Sequence, residues 1–246
     1  MAGHSHAANV AARKNSVDAK RGKLFSKLCR AIFVAARNGG ADPGMNIRLR
    51  YAIDKAKSYS CPKENIERSI KKATGELGAE NYEEVVYEGY GPAGVAVLCE
   101  VLTDNRNRTA GDLRKAFDVC GGNLGWTGCV SYLFDYKGVF VLIAEQIAED
   151  QLMEIVLEAG ADDLKHEGEY FEVTCDPKQF DTVRQALEEQ KLNIESAETS
   201  YIPSTTVDLD AENGRKMLKL RDLLDENDDV QNVYSNEIIP EEVAAS

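Results

Sequence analysis

The chain has 246 residues, 42 Asp and Glu against 29 Lys and Arg, and a formal net charge of −13, with 43% hydrophobic residues. That length accommodates one to three domains with ordinary cores. No apolar run approaches the roughly 18–20 residues of a membrane span, which argues against a membrane protein. The six cysteines form no CxxC pair, and the three histidines have no cysteine spacing to match. A disulfide scaffold and a zinc site are therefore excluded as readings, and reduced thiols in cores are expected. The opening Met-Ala-Gly-His-Ser-His has no charged-then-apolar signal pattern, so the expected location is the cytoplasm.

The average conceals an asymmetry. Residues 1–72 hold sixteen Lys and Arg against five carboxylates, a net of +11, while the other 174 residues hold thirteen against thirty-seven, a net of −24. A basic block in an acidic chain points to a nucleic-acid surface. The competing reading is a solvated set of helices whose basic faces pair with the acidic remainder.

Taken in order, residues 1–15 are small and polar without periodicity and read as a tail. A helix is predicted from about Ser16, as N-cap, to Asn38. Its apolar residues Leu24, Phe25, Leu28, Ile32 and Ala35 share one stripe, and Lys20, Lys23, Lys27, Arg30 and Arg37 fall largely away from it. Gly39-Gly40 stops this helix and Asp42-Pro43-Gly44 turns the chain. A second helix, about Asn46 to Tyr59, buries Leu49, Ile53 and Ala56. A third opens with Pro62 at N1 and buries Ile66, Ile70 and Ala73 before Gly75. Three short amphipathic helices with short links make a small bundle. The Asn38–Gly44 loop is longer than the tight turn of a helix-turn-helix element, which argues against one here.

From Tyr82 the period changes to 2. Val85–Tyr87 and Val95–Leu102 read as strands joined by Gly89-Tyr90-Gly91-Pro92-Ala93-Gly94. That joint satisfies G-x-G-x-x-G literally, but a β-branched strand follows where a dinucleotide site needs a helix, so it reads as a hairpin turn. Thr109 and Asp112 form a capping-box pattern for a helix over Ala110–Cys120. Arg106 and Arg108 then precede a helix N-terminus, where an anion contact and a bond to local carboxylates fit equally well. Tyr132–Tyr136 and Lys137–Ile143 read as further strands. Helix Ala148–Ala159, strands near Asp162–His166 and Tyr170–Thr174, helix Pro177–Gln190 and strand Asn193–Tyr201 follow. With Gly138–Ile143 in front, the order is β-α-β-β-α-β, the ferredoxin-like signature. Helix Ala211–Glu226 and strand Val230–Tyr234 close the chain and would complete the module begun at Tyr82.

The expected fold class is α+β: a three-helix bundle followed by two ferredoxin-like α/β modules, the second inserted into the first. The corresponding domains are 1–80, basic and helical; 81–136 with 205–246, discontinuous; and 137–204, inserted.

Several long motifs in order resemble the YebC family. They include Met1-Ala2-Gly3-His4-Ser5, Asp18–Lys23, Asn65-Ile66-Glu67-Arg68, Tyr87–Pro92, Leu102–Thr109, Gly121–Gly125, Ile202–Thr205 and Val230–Tyr234. The resemblance covers essentially the whole chain. It implies three domains and a non-enzymatic role in gene expression. Some members look like DNA-binding transcriptional regulators. Others, including the mitochondrial translational activator of cytochrome oxidase, look like ribosome-associated factors, and bacterial members are linked to relief of stalling at proline runs. One departure lies in the tail, where the family's usual Lys-Trp after His4-Ser5 is replaced by His6-Ala7. A cation and a base-stacking aromatic are missing there.

The residues expected to contact nucleic acid are Arg13, Lys14, Lys20, Arg21, Lys23, Lys27, Arg30, Arg37, Arg48, Arg50, Arg68, Lys71 and Lys72. The first reading is a ribosome-associated translation factor using this block on rRNA, because the acidic modules limit approach to a long duplex and shape-based RNA recognition needs no base-reading helix. The alternative is a DNA-binding transcriptional regulator, for which helix 46–59 offers only Asn46, Arg48 and Arg50 near its start. A protein-interaction scaffold is a third reading. For an enzyme there is no nucleophile elbow, P-loop, metal cluster or histidine in a suitable loop. No cofactor, metal, membrane or small-molecule substrate is expected.

Overall fold

The structure is a computed structural model and describes residues 21–75 and 82–244. The predicted Ser16 cap and the tail lie outside the described residues. The fold is α+β, and the chain divides into two compact units. Among the described residues, one comprises 21–75, 82–131 and 212–235, and the other comprises 132–211 with 236–244.

The first unit begins with three helices, α1 (Arg21–Gly39), α2 (Ile47–Ser58) and α3 (Lys63–Ala73). Their apolar stripes meet in one core: Leu28, Ile32, Ala35 and Ala36 of α1, Leu49, Ile53 and Ala56 of α2, then Cys61 and Ile66. Each stripe repeats every three or four residues, so each helix buries a single face. Pro62 is the residue before α3 rather than its first residue.

The same unit continues through β1 (Glu83–Tyr90), β2 (Ala96–Thr103), α4 (Arg106–Val119) and β3 (Asn123–Leu124). It closes with α7 (Ala211–Asp225) and β9 (Val230–Ser235). The sheet is antiparallel with order β3-β1-β2-β9. The G-x-G-x-x-G segment is the β1–β2 hairpin connection, with a 3-10 turn over Pro92–Gly94 and Ala93 at φ 55°. Because this hairpin lies at the centre of the sheet, the strand layer matches a ferredoxin-like sheet while the connections run in a different order. Phe33 and Val34 of α1 pack against Leu102 of β2, so the bundle and the sheet share buried surface.

The second unit carries β4 (Phe134–Ile143), α5 (Glu149–Glu158), β5 (Ala161–Glu167), β6 (Tyr170–Cys175), α6 (Phe180–Glu189) and β7 (Ile194–Pro203). Its strand order, β5-β6-β4-β7, with antiparallel pairing throughout, is the ferredoxin-like arrangement. The two strands predicted over 132–143 are one, beginning at Phe134, because Tyr132 and Leu133 belong to a 3-10 turn. Phe140 stacks on Phe180 with ring centroids 4.6 Å apart, joining β4 to α6. A short parallel pair, β8 (Val207–Asp208) with β10 (Glu237–Ile238), and the terminal helix α8 (Glu241–Ala244) also belong here.

All six cysteines are free thiols, and five of them are buried. Burial pushes the Cys99 thiol up to about 12 and the Cys175 thiol to about 11. Among the described residues no helix is long and apolar enough to cross a membrane, and no group of three or more His, Cys, Asp and Glu is placed to hold a metal ion.

Candidate nucleic-acid interface

The basic block divides into two populations. Lys23, Lys27 and Arg30 recur at i, i+4 and i+7 on α1 and therefore share one face. Protein covers that face at Lys27 and Arg30, and exposed Lys23 reaches the same protein surface with its ammonium. Lys23 Nζ donates to the Glu226 carbonyl at 3.1 Å and Lys27 Nζ to the Asp225 carbonyl at 2.7 Å. These carbonyls end α7, where the last turn has no intrahelical donors and the helix dipole favours a cation. Lys27 is buried, and its ammonium reaches the Asp225 carbonyl. The row lies off the apolar stripe of α1, but periodicity located only that bundle core and not the second surface against which α1 lies.

Arg30 completes the row. Its guanidinium donates to the carbonyls of Leu102, at 3.3 Å, and of Asp228, and lies 3.0 Å from Asp229 Oδ1. It also sits 5.0 Å from the centroid of the Tyr82 ring. The other Asp229 oxygen accepts from Thr109 at 2.6 Å, Arg108 at 2.8 Å and Thr103 at 3.0 Å. Burial alone would raise the Asp229 pKa. Hydrogen bonds from Thr109, Arg108 and Thr103 outweigh it and hold the carboxyl below its usual range. Two arginines and two hydroxyls thus satisfy one buried carboxylate, linking α1, β2, α4 and the α7–β9 turn.

This network replaces the predicted capping box. The helix starts at Arg106, with Asn105 as N-cap accepting from the Arg108 backbone N–H at 3.1 Å. Thr109 is buried inside the first turn, and its hydroxyl is committed to Asp229. Arg106 Nε lies 3.1 Å from Glu83, and Arg108 bridges Asp104 and Asp229. Both arginines are bonded to carboxylates, of which only Asp104 is local in sequence; Glu83 and Asp229 come from distant parts of the chain.

The second population faces solvent. Arg37 is exposed in the last turn of α1. Arg48 and Arg50 are exposed in the first turn of α2, which carries no acid. The Arg48 guanidinium pairs with Glu84, and that of Arg50 lies 5.8 Å from the Tyr51 ring centroid. Arg68 and Lys71, three residues apart on α3, are exposed, and Lys72 beside them is half-buried. Arg21 opens α1; Arg13, Lys14 and Lys20 lie outside the described residues.

Two features escaped sequence reasoning. Glu88 is a buried carboxylate that accepts backbone N–H bonds from Gly128, Val130 and Ser131 at 2.6, 2.9 and 2.8 Å. It fixes a loop whose Trp126 is 78% exposed. No local pattern marked it, since its partners lie about forty residues away. The other is the burial of Asn46, which the sequence offered as a base-reading residue at the start of the second helix, between exposed Met45 and Ile47.

Residues 5–76 match the family model described as the TACO1/YebC protein N-terminal domain, and residues 82–237 match the one described as the TACO1/YebC second and third domain. A probable transcriptional regulatory protein of Geobacter sulfurreducens is 55% identical over 236 residues, covering 96% of this chain and 95% of the relative. One from Treponema denticola, with the same description, is 54% identical over 241 residues, 98% of each chain. The crystal structure of a conserved hypothetical protein from Aquifex aeolicus superposes with a TM-score of 0.82 at 49% identity, over 92% of this chain and 94% of that one.

Proposed function

Because this chain belongs to the TACO1/YebC family, matched across residues 5–76 and 82–237, we propose that it is a non-enzymatic regulator of gene expression that binds structured RNA, as a ribosome-associated translation factor. The observation that carries this reading is the division of the basic block. Lys23, Lys27 and Arg30 hold the bundle to the α7–β9 turn. Exposed Arg50, Arg68 and Lys71, with Arg37 and half-buried Lys72 beside them, are read as the side chains that meet phosphates. Arg48 exchanges its carboxylate partner Glu84 for one when RNA binds. The reading also counts Arg13, Lys14, Lys20 and Arg21 among the residues that contact RNA.

Shape-based RNA recognition agrees with this distribution. Residues 40–46 separate α1 from α2, a connection longer than the 3–4 residue turn of a DNA-reading helix-turn-helix. The acidic remainder of the chain disfavours lying along a long duplex, whereas one basic face can dock on a folded RNA. The reading involves no cofactor and no small-molecule substrate, and it places the protein in the cytoplasm.

A second reading, DNA-binding transcriptional regulation, is favoured by the description of the relatives as probable transcriptional regulatory proteins. One experiment separates the two. Binding of the full chain to a structured rRNA hairpin and to a DNA duplex of equal length is measured between about 50 and 200 mM salt, over which several phosphate contacts cost orders of magnitude in affinity. The proposal expects a steep loss with salt and tighter binding to the hairpin. A flat salt response contradicts nucleic-acid binding, and a consistent preference for duplex DNA moves the assignment to transcription.

A further inference from the structure

The turn between α1 and α2 is built tightly, yet it displays apolar side chains. Asn46 Oδ1 accepts from the Leu49 backbone N–H at 3.0 Å, while its Nδ2 donates to the carbonyls of Ala35 at 2.8 Å and Gly40 at 2.7 Å. Asp42 Oδ1 accepts from Gly44 N at 2.8 Å, and the Asp42 carbonyl accepts from Met45 N and Asn46 N at 3.1 and 2.9 Å. A Cβ on Gly39 would come within 2.7 Å of the Asn46 side chain, so this close approach needs glycine.

Asn46 has an extended backbone, φ −117° and ψ 93°. In such backbone successive side chains alternate in direction. With Asn46 turned inward, Met45 and Ile47 both turn outward, 85% and 48% exposed. Exposed Arg37, Arg48 and Arg50 flank this pair in sequence; of the nearby acids, Asp42 is committed to the turn and Glu84 is paired with Arg48.

Two rigidly held apolar side chains bracketed by arginines have the chemistry of a wedge in nucleic acid. The apolar groups enter where bases are unstacked, and guanidinium forks take the adjoining phosphates. Two such residues offer little area to a lipid surface, which recruits a longer amphipathic face.

We infer that Met45 and Ile47 insert at an unstacked step, a bulge or a loop closure, of the RNA bound by the basic block, with Arg48 and Arg50 on the flanking phosphates. This inference rests on the RNA reading above. It adds a structural preference that charge alone does not supply.

The test uses the full chain and two RNA hairpins of equal length. One is fully paired, and the other carries a one-nucleotide bulge with 2-aminopurine beside it. The bulged hairpin should bind about tenfold more tightly, a difference of about 1.4 kcal/mol, with a change in 2-aminopurine fluorescence. Met45→Ser combined with Ile47→Ser should erase both signals. Affinity for the paired hairpin and its salt dependence should stay as in the unaltered protein. Met45→Leu should keep both signals, and Met45→Ser alone gives the same readout should the double variant unfold.

Equal binding of the two hairpins, or a double variant that keeps the preference, overturns the wedge and leaves the electrostatic reading standing. Absence of salt-sensitive binding to either hairpin overturns both. Capture of the unaltered protein, but not the double variant, by phosphatidylserine vesicles in place of the bulged hairpin assigns the pair to a lipid surface and overturns the RNA wedge.

Discussion

Arg30 on α1 and Asp229, just before β9, meet at 3.0 Å across 199 residues of sequence. Their side chains are 16% and 8% exposed. The Asp229 carboxylate is also held by Arg108, Thr103 and Thr109, so removing it takes from two guanidiniums and two hydroxyls the one acceptor they share, while Arg30 keeps the Leu102 and Asp228 carbonyls and Arg108 keeps Asp104. Breaking a buried pair on one side costs about 3–5 kcal/mol. Asp229→Ala should therefore lower the stability of the full chain by about that amount in urea unfolding. A loss under about 1 kcal/mol, the range of an exposed ion pair, contradicts the assignment of this network as the clamp.

Asp229 also sets a pH dependence. Its carboxyl is held below the ordinary value, so the unfolded state binds its proton first as pH falls. The stabilisation is complete above the unfolded pKa, about 4, and disappears as pH drops through the folded value. Glu88 is shifted in the same direction, since three backbone N–H bonds outweigh the opposing effect of burial. Between about pH 5 and pH 2 the unfolding free energy should fall more steeply for the unaltered protein than for Asp229→Asn. Equal slopes would show that Asp229 titrates normally.

Glu88 should govern the order of the Trp126 loop. Glu88→Gln keeps the shape but replaces one acceptor oxygen with an amide donor. At least one of the Gly128, Val130 and Ser131 N–H groups then loses its partner, at about 1–3 kcal/mol. Amide exchange at Val130 and Ser131 should quicken by one to two orders of magnitude, about what that free energy implies, with the α2 core amides unchanged. Unchanged exchange at Val130 would count against the carboxylate as the anchor.

The turn before α2 gives a prediction about its geometry. Gly39→Ala places a methyl group within 2.7 Å of Asn46, which must then shift from Ala35 and Gly40. Stability should fall by about 1–3 kcal/mol, the range for leaving buried polar partners unmade. The α2 amides nearest the cap, such as Leu49, should exchange faster. Unaltered protection of Leu49 contradicts the role given to Asn46.

Much of this fold was legible in local patterns, for identifiable reasons. Leu28, Ile32, Leu49, Ile53 and Ile66 announced the bundle because a helix burying one face must repeat its apolar residues every three or four positions. The β-branched run after Gly94 distinguished the hairpin from a nucleotide site because a dinucleotide fold needs a helix there. What escaped were side chains whose partners lie far along the chain. Nothing near Lys27 indicates the Asp225 carbonyl, and nothing near Thr109 indicates Asp229. Thr109 therefore read as a cap, whereas Asn105 takes that position. At the candidate interface, charge located the basic block, but only tertiary contacts separated the cations that hold the protein together from those facing solvent.

The central claim is that separation, and comparing two sets of substitutions in one titration tests it most directly. Binding of a structured RNA hairpin is measured against salt for the unaltered chain, for Arg50→Glu/Arg68→Glu/Lys71→Glu, and for Lys23→Gln/Lys27→Gln, each with its unfolding midpoint. The account predicts that the exposed triple variant loses most of its affinity and that its salt slope flattens by about one unit for each phosphate contact removed, with an unchanged midpoint. The clamp variant should unfold earlier yet, while folded, bind with nearly full affinity. Unimpaired binding by the exposed triple variant, together with loss of binding by a fully stable clamp variant, would contradict the account.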